Sequence, residues 1–107
     1  MKNIVLTGFM GTGKTAVGRE LARLLDMRLI DVDTEIESSR GMTINQIFGE
    51  FGEPVFRDIE TAMIKKVSRN RNVIISTGGG AVLKHENMET LGETGIIVCL
   101  MASAETP

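Results

Sequence analysis

The stretch GFMGTGKT, residues 8–15, follows the apolar run NIVLT (residues 3–7) and precedes a segment with helical spacing. It matches the pattern G-x-x-x-x-G-K-[ST], in which a glycine-rich backbone wraps around an anion and the next helix adds its positive end. Lys14 can reach the outer phosphates of a nucleotide, and the hydroxyl of Thr15 can ligate magnesium. The stretch therefore predicts a strand, a phosphate-binding loop and a helix, in that order.

The same glycines allow a second interpretation, a dinucleotide-binding loop. Gly11, Gly13 and Ala16 fit the pattern G-x-G-x-x-G/A, and Asp31 follows at about the twenty-residue distance of the ribose contact. However, Gly8 occupies the place of the first glycine of that pattern, and the lysine and threonine have no role in it. A GTPase switch would require D-x-x-G after the loop, and no aspartate is followed by glycine at that spacing. The residues favour a small-molecule kinase.

Short apolar runs alternate along the chain with segments of helical periodicity. This alternation predicts an α/β fold in which a parallel sheet carries helices on both faces, with residues 1–107 forming one domain. The predicted strands cover residues 3–7, 28–32, 72–76 and 95–101. The predicted helices cover residues 14–25, a short segment that Thr43 and Gln46 open as a capping box, a longer segment from Pro54, and residues 84–91.

The last predicted strand is apolar on both faces, as a central strand would be, and the chain ends six residues after it. We therefore expect an N-terminal portion of a longer protein, with a sheet that is incomplete on its C-terminal side. Cys99 is the single cysteine, which excludes an internal disulfide. Because it lies within this apolar strand, we expect it to be a small buried side chain.

Composition narrows the class of partner. Twelve basic and 14 acidic residues create no broad positive field, so nucleic-acid binding is not expected. The longest apolar run is far below the roughly 20 residues of a membrane span, and the first residues lack the features of a signal peptide. We expect a cytoplasmic monomer that acts on a small molecule.

Two aspartates lie at the end of the second predicted strand, in the sequence DVD. In an extended segment the carboxylates of Asp31 and Asp33 point to the same side, toward the crevice where α/β sheets bind ligands. Asp31 could hold the water shell of magnesium, and Asp33 could accept the proton of a substrate hydroxyl. The alternative for Asp33 is a helix N-cap.

Arg57 and Glu60 share a face of the helix that Pro54 opens. Their spacing fits an exposed ion pair, and it equally fits a carboxylate that aims the guanidinium at an anionic substrate. The stretch TGGG, residues 77–80, follows a strand and is either a tight turn or a bare backbone on which a substrate rests. The residues alone leave both questions open.

Taken together, GFMGTGKT, DVD, FRDIE (residues 56–60) and STGGGAV (residues 76–82) resemble the shikimate kinase family in order and spacing. The resemblance implies a three-layer P-loop kinase fold. It also implies ATP-dependent phosphorylation of the 3-hydroxyl of shikimate, in aromatic amino-acid biosynthesis. Gluconate kinase, or another small-metabolite P-loop kinase, is the alternative, although such an enzyme is not expected to pair FRDIE with GGG.

The resemblance also assigns roles to individual residues. Lys14 and Asp33 would be catalytic, and Thr15 and Asp31 would hold Mg²⁺. The ATP phosphates would lie on Gly11, Thr12, Gly13, Lys14, Thr15 and Ala16. Shikimate would contact Asp33, Arg57, Gly78, Gly79 and Gly80.

The family pattern continues with segments that these 107 residues do not contain. They are a lid with an ATP-contacting arginine, a further substrate arginine, a nucleotide-base loop, and a last strand and helix. We therefore expect the chain alone to bind its ligands weakly and to turn over little substrate.

Overall fold

The computed structural model describes residues 2–8 and 14–100, and for residues 14, 15, 79, 82 and 100 it describes the backbone alone. Strands and helices alternate as the periodicity predicts. The elements are β1 (Asn3–Gly8), α1 (Lys14–Leu25), β2 (Arg28–Asp31), α2 (Val32–Arg40), α3 (Ile44–Val67), β3 (Val73–Ser76), a 3₁₀ helix (Gly79–Leu83), α4 (His85–Thr94) and β4 (Gly95–Leu100).

The four described strands form one parallel sheet in the order β2–β3–β1–β4. In the register, Val5 lies beside Ile75 on one side and Ile97 on the other. Since all strands run in the same direction, the carboxyl ends of β1, β2 and β3 meet at one edge. The predicted parallel α/β fold is confirmed.

Successive residues of β1, β2 and β3 face different apolar clusters on the two sides of the sheet. Val5, Ile30 and Ile75 belong to a core shared with α2, α3 and α4. Their neighbours Leu6 and Ile74 belong to a second core, against which Leu21 and Ala22 of α1 pack. Helices therefore cover both faces, which confirms the three-layer prediction.

Helix α3 consists of two segments that meet at Gly52, as the sequence predicts. Thr43 and Gln46 form the expected capping box, with hydrogen bonds of 2.9 and 3.1 Å. The backbone at Gly52 is non-helical, with φ 83° and ψ 169°. The rings of Phe48 and Phe56, one from each segment, lie 4.7 Å apart between centroids and hold the two segments together.

Strand β4 lies at an edge of the described sheet, which agrees with the prediction of a sheet that is incomplete on its C-terminal side. Ile96 is 58% exposed and Val98 is 39% exposed. Cys99 is exposed as well, contrary to the buried position expected for it. The reason is that β1 covers one side of β4, and no described strand covers the other.

Several apolar side chains that helical spacing in the sequence places on one face of a helix are exposed. In α1 this spacing predicts a buried face of Val17, Leu21, Leu24 and Leu25, but only Leu21 of these packs against the sheet, together with Ala22. In α3, two side chains beside the break at Gly52 are uncovered, because the change of direction there turns them away from the core. The exposed residues are Val17, Leu24, Leu25, Phe51 and Val55.

Buried polar side chains join the strands and helices at the amino end of the sheet. The side chain of Asn3 donates to the carbonyl of Asn70 at 2.9 Å and accepts from the N–H of Val73 at 3.1 Å. The hydroxyl of Thr94 donates to the carbonyl of Ser68 at 2.8 Å. These bonds tie β1, β3 and the ends of α3 and α4 together, far from the carboxyl edge.

None of the described helices combines the length and the apolar character needed to cross a bilayer.

Candidate functional site

Three strand ends bring the predicted site segments to one edge of the sheet. Gly8 closes β1 with φ 146°, a backbone angle that favours glycine, and Asp31 closes β2. Asp31 lies beside Ser76 of β3, and the N–H of the next residue, Thr77, donates to the carbonyl of Leu6 at 3.0 Å. The phosphate loop and the acceptor segments therefore start from neighbouring strands.

The phosphate loop itself lies partly outside the described residues, and with it the predictions for Gly11, Thr12 and Gly13. Helix α1 begins at Lys14, so Lys14, Thr15 and the exposed Ala16 form its first turn. The side chains of Lys14 and Thr15 are outside the described part of the chain. The strand and helix on either side of the loop are as predicted, and the nucleotide contacts stay predictions.

The predicted arrangement of Asp31 and Asp33 is wrong. Strand β2 ends at Asp31, and α2 starts at Val32, so the two carboxylates do not share one side of an extended segment. Asp31 is the N-cap, and its Oδ1 accepts from the N–H of Thr34 at 3.0 Å. An aspartate at this position satisfies a free N–H of the first turn, which is why the helix begins two residues earlier than expected.

The glycine segment lies between Asp33 and Arg57. A β-carbon placed on Gly78 would lie 3.4 Å from Oδ2 of Asp33, and one placed on Gly80 would lie 2.4 Å from Nη2 of Arg57. Gly79 starts the 3₁₀ helix between these two contacts. The segment is therefore a tight turn whose bare backbone is closely approached by two protein side chains, and the substrate on that backbone stays a prediction.

Arg57 is held by two carboxylates on its own helix. Nη1 lies 2.9 Å from Oε1 of Glu60, and Nη2 lies 3.4 Å from Oε2 of Glu53. The side chain of Glu60 is 2% exposed and that of Arg57 is 29% exposed. The pair is therefore not an exposed surface ion pair, and Glu60 orients the guanidinium toward the glycine segment.

Burial raises the pKa of Glu60, and the hydrogen bond and charge of Arg57 offset only part of that rise. The negative charge of Asp33 raises it further. For Arg57, burial lowers the pKa, but Glu60 and Glu53 together bring it above its ordinary value. The guanidinium is therefore a permanent cation at the edge of the site.

Sequence reasoning missed Asn87, which contacts the glycine segment from α4. Its side chain is 1% exposed, and its Nδ2 donates to the carbonyl of Ala81 at 3.1 Å. The sequence contained one indication that Asn87 is buried. Asn87 lies four residues before Leu91, which is buried, and hence on the same helix face.

A metal ion bound by the described residues would have fewer than three carboxylate, imidazole or thiolate ligands from them. Within residues 2–8 and 14–100, no three His, Cys, Asp or Glu side chains are grouped so that they could hold a metal ion. Asp31 is half-buried at the carboxyl edge of the sheet, and its Oδ1 accepts the N-cap hydrogen bond from the N–H of Thr34. Magnesium bound to a nucleotide commonly takes one or two carboxylates plus water and phosphate oxygens, and one carboxylate at this edge fits that requirement.

The sequence model of the shikimate kinase family matches residues 10–107. The chain belongs to the shikimate kinase family. A shikimate kinase of Caldicellulosiruptor bescii is 55% identical over 106 residues, which cover 99% of this chain and 62% of that relative. A shikimate kinase of Thermodesulfovibrio yellowstonii is 54% identical over 103 residues, covering 96% and 60%. The chain thus spans less than two thirds of the length of these relatives.

Solved structures agree with this family membership. A shikimate kinase from Acinetobacter baumannii in complex with shikimate matches with a TM-score of 0.90 and 44% identity, over 94% of this chain and 56% of that one. A sugar kinase from Janibacter sp. matches with a TM-score of 0.51 at 20% identity and so shows similarity of fold alone. The predicted family and fold class are confirmed.

Proposed function

We propose that this chain supplies the phosphate loop and part of the acceptor site of a shikimate kinase. The reaction is transfer of the γ-phosphoryl group of ATP to the 3-hydroxyl of shikimate, giving shikimate 3-phosphate in aromatic amino-acid biosynthesis. The observation that carries the proposal is the Arg57 guanidinium, which Glu60 holds against Gly80 at the carboxyl edge of the sheet. A fixed, planar cation at this place suits the carboxylate of shikimate.

The donor half of the proposed site is the phosphate loop with the first turn of α1. The backbone of residues 11–16 would bind the ATP phosphates, with the ammonium group of Lys14 on the outer ones. Thr15 and Asp31 would hold Mg²⁺, which when bound neutralises charge on the phosphates. In support, α1 starts at Lys14, and its positive end faces the edge where β1 ends.

The acceptor half consists of Asp33, Arg57 and the glycine segment Gly78–Gly80. Arg57 would pair with the carboxylate of shikimate and so place the ring. Asp33 would hold the ring hydroxyls and accept the proton of the attacking 3-hydroxyl. The side chain of Asp33 lies beside Gly78, and Arg57 lies beside Gly80, so a ligand that rests on the glycine segment can reach both.

The proposal also covers the oligomeric state, the cellular location and the partners of the protein. Residues 1–107 would act as one domain of a monomeric, cytoplasmic enzyme with small-molecule partners and neither nucleic-acid nor membrane partners. The nearly balanced charge, 12 basic against 14 acidic residues, supports the absence of a nucleic-acid partner.

Titration of the ¹⁵N-labelled chain tests the proposed substrate. Shikimate and gluconate are added separately, each with ADP and Mg²⁺ present, because NMR detects the weak binding expected of this chain. We expect shikimate to shift the amides of Gly78, Gly80 and Asp33 and the Nε signal of Arg57, and gluconate to leave them in place. Saturable shifts with gluconate and none with shikimate would overturn the proposal in favour of another small-metabolite kinase.

A further inference from the structure

Helix α4 contributes one buried polar side chain next to the acceptor half, that of Asn87. Its Nδ2 donates to the carbonyl of Ala81 at 3.1 Å, and its Oδ1 has no hydrogen-bond partner among the described residues. Both residues are 1% exposed. A buried amide oxygen without a partner is unfavourable, and a leucine of the same branched shape would avoid that cost. Packing alone therefore does not account for an asparagine at this position.

Ala81 links Asn87 to the glycine segment. The N–H of Ala81 donates to the carbonyl of Gly78 at 3.2 Å, which closes the first turn of the 3₁₀ helix. Its carbonyl accepts from Asn87 and, at 3.4 Å, from the N–H of Lys84. The residue before it is Gly80, against which the Arg57 guanidinium lies. Any shift of the Ala81 carbonyl therefore moves the backbone that meets Arg57.

We propose that Asn87 is a positioning residue of the acceptor site. Its amide anchors the Ala81 carbonyl to α4, and this anchor sets the distance of the Gly78–Gly80 backbone from Asp33 and Arg57. Asn87 itself lies in the core behind the segment and acts through it. The effect on substrate rests on the proposed function, whereas the effect on the backbone of the segment does not.

A matched pair of variants on α4 tests the proposal. Asn87→Leu removes the anchoring donor and keeps the branched shape of the side chain. The control, Thr94→Val, removes another side-chain donor of α4 that binds a backbone carbonyl, that of Ser68 at 2.8 Å, at the opposite end of the sheet. Both variants are expected to lower the melting temperature by about 5 °C, as loss of a single buried hydrogen bond does.

Ligand affinities and amide signals then separate positioning from stability. We expect N87L to bind shikimate about tenfold more weakly while its affinity for Mg²⁺–ADP stays within about twofold, and T94V to stay within about twofold for both. Without ligand, N87L should shift the amides of Gly78 and Gly80 and speed their hydrogen exchange, and T94V should not. If N87L does not fold, Asn87→Ala is measured in its place with the same expectations.

Equal shikimate affinity in N87L and T94V, with unchanged glycine amides, would overturn the positioning role. If the wild-type chain itself binds no shikimate, the proposed function fails instead, and the ligand-free glycine amides still decide whether Asn87 positions the segment.

Discussion

The guanidinium of Arg57 lies directly on the backbone of Gly80. A β-carbon at Gly80 would come within 2.4 Å of Nη2, 2.6 Å of Nη1 and 2.7 Å of Cζ, all far shorter than van der Waals contact. Glu60 holds the other side of the same group at 2.9 Å. Gly80 is therefore required by this close approach, and the orientation of Arg57 depends on two residues from different segments.

Gly80→Ala should reduce ligand binding more than stability. The new methyl group displaces the guanidinium, which is the end of a flexible side chain, so the free energy of unfolding should fall by less than about 1 kcal/mol. Shikimate affinity should fall about tenfold or more, because a charged hydrogen bond contributes about 1.5–3 kcal/mol. Calorimetry with shikimate and urea unfolding measure the two effects.

The matched control for this prediction is Gly49→Ala. Gly49 lies exposed on α3, and nothing lies within 4 Å of a β-carbon placed there. Alanine should raise the free energy of unfolding by about 0.5–1 kcal/mol through helix propensity and leave shikimate affinity unchanged. Equal shikimate affinity in G80A and G49A would contradict a role for the Arg57 contact.

The burial of Glu60 predicts a pH-dependent contribution to stability. Because the pKa of Glu60 in the folded chain lies above its ordinary value of 4.5, the folded state binds the proton more tightly than the unfolded state. The stability that this group contributes is therefore greatest below pH 4.5, falls as pH rises through the folded pKa, and is constant above it. The difference in unfolding free energy between wild type and Glu60→Gln should show this decline in urea titrations at successive pH values.

Glu53→Gln controls for the general effect of removing a carboxylate near Arg57. The Glu53 side chain is 64% exposed, so the loss of its ion pair with Arg57 should change stability little. A difference between wild type and E60Q that is flat with pH, or rises with it, would show that Glu60 does not hold its proton as argued.

Substitutions at Asp31 can separate its role as a helix N-cap from its proposed role in holding Mg²⁺. Asparagine caps a helix about as well as aspartate, so Asp31→Asn should leave stability nearly unchanged, whereas Asp31→Ala should cost about 1 kcal/mol. If Asp31 supports Mg²⁺, both variants should weaken Mg²⁺-dependent ADP binding, and neither should change binding measured with EDTA present. Wild-type Mg²⁺ dependence in D31N would remove Asp31 from the proposed metal site.

Gly52 allows the change of direction in α3 that precedes Arg57. Its φ of 83° and ψ of 169° lie in a region that is open almost only to glycine, so Gly52→Ala should cost about 1–3 kcal/mol. Gly49→Ala, three residues earlier, should instead stabilise the chain. Urea unfolding of the two variants measures the contrast, and a G52A variant as stable as G49A would mean that the break does not need glycine.

Much of the fold could be predicted because its signals are local. The alternation of apolar runs with helical spacing predicts the parallel α/β fold, and the Thr43–Gln46 capping box and Pro54 mark helix starts that the structure confirms. Each signal acts through hydrogen bonds or dihedral angles within a few residues. The error at Asp31 has the same local origin, since either aspartate of DVD can cap a helix and the pattern does not say which one does.

Local patterns in the sequence were sufficient to predict the strand–helix order, the glycine-rich phosphate motif and the family. Packing between distant segments decided that Glu60 is buried, that Asp33 and Arg57 lie beside opposite ends of one glycine segment, and that Asn87 donates to the carbonyl of Ala81 next to it. It also decided that β4 lies at an edge with its apolar side chains exposed. These features depend on contacts between segments far apart along the chain, and such contacts exist only once the sheet and its two cores have brought the segments together.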